Sequence, residues 1–141
     1  MMQVKEIMSQ DIASLKSEDS IEKAAQLMKA YNVGSIPVCS GLQVIGIVTD
    51  RDITLRSVAT GQNSKDETVG NIMTPNPVLG NPEMSVEDAA KIMSENQIRR
   101  LPIVENNRLI GMVALGDISQ EPTLQYSAEE ALTNISQPDI R

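Results

Sequence analysis

Residues 4–53 of this 141-residue chain recur without a gap at residues 69–118, an offset of 65. Val4-Lys5-Glu6-Ile7-Met8-Ser9 lies over Val69-Gly70-Asn71-Ile72-Met73-Thr74, and the stretch from Ile21 to Met28 lies over the stretch from Val86 to Met93. Val33 to Val38 (VGSIPV) matches Ile98 to Ile103 (IRRLPI), and Ile45-Gly46-Ile47-Val48 matches Ile110-Gly111-Met112-Val113. Fifteen of the 50 aligned pairs are identical, and most apolar mismatches stay apolar, which chance does not produce in one gapless register. Two copies are too few, and the period too long, for a solenoid that grows by stacking. The expected solution is a closed pair, two lobes packed on their apolar faces about a pseudo-twofold axis.

Each copy reads in the same order. A short amphipathic piece (Val4, Ile7, Met8) leads to a brief strand near Ile12–Leu15, or near Pro77–Gly80 in the second copy. A helix follows from Ser20 or Ser85, and Ser85-Val86-Glu87-Asp88 has capping-box spacing. Ile21, Ala24, Ala25 and Met28 fall on one face at helical spacing, as do Val86, Ala89, Ala90 and Met93. Two β-branched segments come next, joined through Gly41 in the first copy and through the hairpin signal Asn106-Asn107 in the second. A last helix starts at Asp50 and runs to about Ala59, and a shorter one follows Leu115. The order is β-α-β-β-α, twice, a mixed α/β (α+β) class.

The expected domains are a first repeat over 1–59, a polar linker over 60–68, a second repeat over 69–119 and an extension over 120–141. In the extension, Ser127-Ala128-Glu129-Glu130 resembles a capped helix start. Ala128, Ala131, Leu132 and Ile135 form one apolar stripe, and Pro122 and Pro138 bracket a short helix that docks on the body or on a partner subunit.

Composition removes several functions. The net charge of −7 argues against a broad basic face for nucleic acid. With two tyrosines and no Phe or Trp there are no stacking platforms for single strands. The eight methionines must help Val, Ile, Leu and Ala fill the core. Histidine is absent, which rules out Ser–His and Cys–His dyads and histidine metal sites. No GxxxxGK or GxGxxG loop is present. The single cysteine, Cys39, rules out an internal disulfide and suits a reducing compartment. Neither a signal peptide nor a membrane-length apolar run is found, so the expectation is a cytoplasmic protein without membrane contact.

Two tandem copies, each with an IMS or IMT opening, a helix, a VGSIPV or IRRLPI strand and, in the first copy, a GIVTDRDI strand-to-helix junction, resemble the cystathionine-β-synthase (CBS) domain pair, or Bateman module. The resemblance covers residues 4–118. It implies two repeats packed as one disc, with clefts that bind adenosine-containing ligands such as AMP, ADP, ATP, S-adenosylmethionine or NAD. It also implies a homodimer formed through helical faces. Nothing of domain size lies outside the pair, so the module is read as stand-alone.

Thr49 and Asp52 admit two readings. They have the spacing of a capping box. They also stand where the family resemblance places a hydroxyl and a ribose-binding carboxylate, and one residue can serve both roles. In the second copy Asp117 keeps the carboxylate, but Ala114 replaces the hydroxyl, so the sequence favours one tight site, at the first copy. Arg99 and Arg100 replace Gly34 and Ser35. Guanidinium groups suit phosphates, and the resemblance places basic side chains just before this Leu-Pro; Arg100 ranks first, with Arg99, Arg51 and Arg56 behind it. For adenine, the resemblance implies backbone and apolar groups of Ile12 and Ala13 with Ser35, Ile36 and Pro37, and of Pro77 and Val78 with Arg100, Leu101 and Pro102. Pro37 and Pro102 also suit edge strands on structural grounds alone.

The expected function is therefore a non-catalytic regulatory module that holds an adenine nucleotide in the cleft between the copies, with no required cofactor, no catalytic residue and no metal. The alternatives are a scaffold for an effector protein and a metal-assisted hydrolase using Asp50, Asp52 or Asp117.

Overall fold

Helix α1 (Ile21–Tyr31) begins where the Ser20 hydroxyl accepts the Lys23 N–H at 3.0 Å, and helix α3 (Val86–Asn96) where Ser85 accepts that of Asp88 at 3.0 Å. Each satisfies an amide that the first helical turn leaves without a partner. Both helices end on a residue in the left-handed region, Asn32 and Gln97, each at φ 54°. The computed structural model describes residues 1–120 and 125–137. Pro122 and Pro138, read as brackets of the last helix, lie outside the described residues.

The chain divides into two compact units, one holding Ala13–Pro77 and the other Met1–Ile12 with Val78–Arg141. These are not the repeats. Each leading segment belongs to the unit built mainly from the other copy.

In the first unit, β1 (Leu15–Lys16) runs parallel to β2 (Ser35–Ser40), β2 pairs antiparallel with β3 (Gln43–Thr49), and β3 with β4 (Thr74–Pro75). The hairpin turns through Gly41 and Leu42, where Gly41 takes φ 62°. In the second unit β5 (Arg100–Glu105) pairs antiparallel with β6 (Arg108–Ala114). Their turn puts Asn106 at φ 53° and Asn107 at φ 63°, the two left-handed positions of a type I′ turn, which follows the strand twist. Single bridges, Gly80 with Ile103 and Ser9 with Met112, stand where β1 and β4 stand in the first unit. The brief first strand is thus Leu15–Lys16, at the end of the stretch expected from sequence, and in the second copy it is reduced to one bridge.

After β3 the chain turns into helix α2 (Asp50–Asp52), continues as a π-helical turn over Ile53–Ser57 and closes as a 3₁₀ turn over Val58–Thr60. The counterpart after β6 is the short helix α4 (Leu115–Ser119). Helix α5 (Gln125–Ile135) starts two residues before Ser127, so Ser127 is not its cap. Among the described residues no helix is long and apolar enough to cross a membrane.

The two cores are aliphatic. One gathers Leu15, Ile21, Ile36, Val38, Val48 and Val69. The other gathers Val4, Val86, Met93, Leu101, Ile103 and Val113 with Ala128 and Ala131 of α5. Val4 is therefore buried with the second copy and Val69 with the first. Helix α5 also accounts for a break in the repeat. Ala90 is buried in the cluster with Ala128 and Ala131, whereas its first-copy equivalent Ala25, expected on a buried face, is exposed.

Candidate functional site

Thr49 ends β3 and caps α2. Its hydroxyl accepts the Asp52 N–H at 3.0 Å, and the Asp52 Oδ2 accepts the Thr49 N–H at 2.9 Å, which closes the capping box. The other carboxylate oxygen, Oδ1, lies 3.8 Å from Arg56 Nε, and the Asp52 side chain is only 13% exposed. Arg56 is further tied down through Nη1, which donates to the Ile72 carbonyl at 3.2 Å. Arg51 is exposed. Ser35, opposite Thr49 in the β2–β3 register, has a buried hydroxyl without a hydrogen-bond partner among the described residues. Ile36 and Pro37 are buried beside it.

The second copy repeats half of this arrangement. The Ala114 N–H donates to Asp117 Oδ2 at 3.1 Å, but Ala114 has no hydroxyl to return the bond. Arg100 stands opposite Ala114, as Ser35 stands opposite Thr49, so one position carries two hydroxyls in one copy and a guanidinium with a methyl in the other. The Leu115 N–H donates to the Arg99 carbonyl at 2.8 Å, which fixes the start of α4 against the start of β5.

An open cleft of about 700 Å³ lies here, within the range usual for small-molecule sites. Arg99, Arg100 and Asp117 line it with Ala114, Gly116 and the helix α5 residue Glu129. Among the described residues neither Arg99 nor Arg100 is ion-paired.

Of the residues expected from sequence, the cleft brings together Arg99, Arg100 and Asp117. Leu101 and Pro102 are buried and off its lining, and Val78 is exposed and off it too. Ile12 falls in one compact unit and Ala13 in the other, and the division likewise runs between Pro77 and Val78. Lining residues that sequence reasoning did not assign to a site include Leu115, Ser119, Gln120, Ala128, Glu129 and Leu132. The apolar stripe of the extension signalled that a helix docks. It did not signal that Leu132, 44% exposed, would face a cleft instead of the core.

Cys39 is buried in β2, and burial pushes its thiol above the ordinary range. Among the described residues no three Cys, Asp or Glu side chains gather as a metal site needs.

The family model of the CBS domain matches this chain twice, over residues 4–58 and 69–122. The chain belongs to the CBS domain family. It is 46% identical over 140 residues to the CBS domain-containing protein YhcV of Bacillus subtilis, covering 99% of both chains. The CBS domain pair of protein MJ0100, in complex with 5′-methylthioadenosine and S-adenosyl-L-methionine, aligns with a TM-score of 0.75 and 31% identity, over 85% of this chain and 94% of that one. CBSX2 in complex with AMP aligns with a TM-score of 0.74 and 28% identity, over 89% of this chain and 98% of that one. The mixed α+β architecture read from the repeat is that of these CBS pairs.

Proposed function

We propose that this CBS pair is a non-catalytic cytoplasmic regulatory module that takes an adenosine-containing ligand, with its principal site in the second-copy cleft. One observation carries the reading: Arg99, Arg100 and Asp117 line a single cleft of ligand size, and neither guanidinium is ion-paired among the described residues. The arginines suit a phosphate or carboxylate, which a planar donor fork can hold through two bonds. Asp117 spends Oδ2 on the Ala114 N–H and keeps acceptor capacity for the vicinal hydroxyls of a ribose. The ligands named for MJ0100 and CBSX2 share the adenosine moiety, which supports that class here.

The first-copy site is secondary in this reading. Its Asp52 already serves the Thr49 amide and Arg56, and the Ser35 hydroxyl, unpaired among the described residues, offers hydrogen bonding without charge. Ligand acts on a homodimer or an effector protein only as far as it prefers one arrangement of the assembly over another.

Calorimetry against AMP, ADP, ATP, S-adenosylmethionine and NAD tests the proposal, with light scattering on the same samples. At least one ligand should bind, and should be recovered intact after long incubation with magnesium. Hydrolysis of the ligand would make the protein an enzyme. Binding by none of the five would leave the effector-scaffold reading in its place.

A further inference from the structure

Helix α5 lies beyond the second CBS match, which ends at residue 122. It is nonetheless part of the unit's interior. Ala128 and Ala131 are buried in the core cluster, and two side-chain contacts fix the end of the helix to α3. Asn134 Nδ2 donates to the Ser94 hydroxyl at 2.5 Å, and Gln97 Nε2 donates to the Asn134 carbonyl at 3.1 Å. A helix held in this way presents its remaining side chains at fixed places, and Glu129 and Leu132 line the cleft.

The charge on that lining is balanced. Arg99 and Arg100 bring two positive charges, and Asp117 and Glu129 bring two negative ones. A phosphate monoester carries about −1.5 to −2 at neutral pH, close to what two guanidinium groups neutralise. Each further phosphate adds negative charge to a cleft whose lining, among the described residues, has no third cation and already holds a carboxylate on α5. Like charges lining one cleft repel.

We propose that helix α5 is a specificity element of the second-copy cleft, with Glu129 disfavouring polyphosphates and Leu132 supplying an apolar wall, so that the site selects an adenosine ligand with at most one phosphate. This rests on the adenosine reading above and adds a determinant that the CBS repeats themselves do not contain. Glu129 is exposed and makes no side-chain hydrogen bond or ion pair among the described residues, so its variant should fold as the parent does.

The test is calorimetry of AMP and ATP against the full chain, Glu129→Gln and Glu130→Gln at one ionic strength. Glu130 is the neighbouring exposed carboxylate and is not on the cleft lining. The parent should prefer AMP. Glu129→Gln should narrow the AMP-to-ATP affinity ratio by roughly 5- to 10-fold, through tighter ATP binding, while Glu130→Gln leaves the ratio within about twofold. An unchanged ratio in Glu129→Gln overturns the inference and leaves the adenosine reading standing. Equal shifts in both variants overturn it as well, because the effect would then be general charge. Binding of ADP or NAD to the parent, with neither AMP nor S-adenosylmethionine bound, overturns the phosphate preference alone; binding of no adenosine compound overturns both readings.

Discussion

Met8 packs over Gly111 so closely that a Cβ on the glycine would lie 2.9 Å from Met8 Cγ and 3.2 Å from the Ser9 carbonyl oxygen. The same relationship recurs one repeat away, where a Cβ on Gly46 would lie 3.0 Å from the Thr74 carbonyl oxygen and 3.1 Å from Met73 Cγ. In both places the methionine of one copy's leading segment covers the strand glycine of the other copy. The adjoining backbone is tied down by the pairings of Ser9 with Met112 and of Thr74 with Ile47. The IMS and IMT motifs are therefore the straps by which each unit acquires its last sheet position.

Substituting alanine at Gly46 or Gly111 should overpack this contact. The methionine side chain can give way, but the carbonyl oxygens are held by strand pairing. Each variant should lose about 1–3 kcal/mol, a melting shift of roughly 2–12 °C at about 2–4 °C per kcal/mol. Thermal unfolding of the two variants measures it, and an alanine that leaves both transitions in place would contradict the strap.

The repeat, the two hairpins, the capped helices and the buried helix faces, Ala25 apart, were legible because each rests on local chemistry: hydroxyl caps, paired asparagines at a turn, helical spacing. The exchange of leading segments was not legible. Val4 and Val69 are equally apolar, and nothing local says which copy buries them. The site we propose also differs from the one the motif ranks first. Sequence favoured Thr49 and Asp52 because they match a motif in full, but in the structure their bonds close on each other and on Arg56. The contribution of Glu129 was hidden because a docking stripe identifies the buried side of a helix and not what its edge meets.

Ala25 and Ala90 occupy the same repeat position and offer a direct test of α5 docking. Ala90→Glu would place a carboxylate in the cluster of Ala128 and Ala131 without a partner, at a cost of at least about 2 kcal/mol. Ala25→Glu projects into solvent and should stay within about 0.5 kcal/mol of the parent. Denaturant titrations of both variants check this. Equal losses would mean that α5 does not cover α3.

Cys39 should react slowly in the native protein, since burial shields the sulfur and disfavours the thiolate. Alkylation at pH 8 should be slow in buffer and fast in denaturant. The linkage has a definite sign. The folded state holds the thiol proton to higher pH than the unfolded state, so this group's contribution to stability is present below about pH 8.5 and declines as pH rises through the folded value. Cys39→Ser should remove that alkaline decline.

Asp52 and Asp117 separate capping from ligand binding. Asp52→Asn removes the charge that serves the Thr49 amide and Arg56, so the unliganded protein should lose about 1 kcal/mol or less while cleft affinity is retained. Asp117→Asn removes the charged acceptor from the cleft itself. A charged hydrogen bond is worth about 1.5–3 kcal/mol, so affinity there should fall roughly 10- to 150-fold. Ligand at about 100 times its dissociation constant stabilises the native state by about 2.7 kcal/mol, on the order of 5–10 °C in melting temperature. That shift should persist in Asp52→Asn and largely vanish in Asp117→Asn at the same concentration. The reverse pattern, with affinity lost in Asp52→Asn and kept in Asp117→Asn, would return the principal site to the first copy, where the intact hydroxyl-carboxylate motif places it.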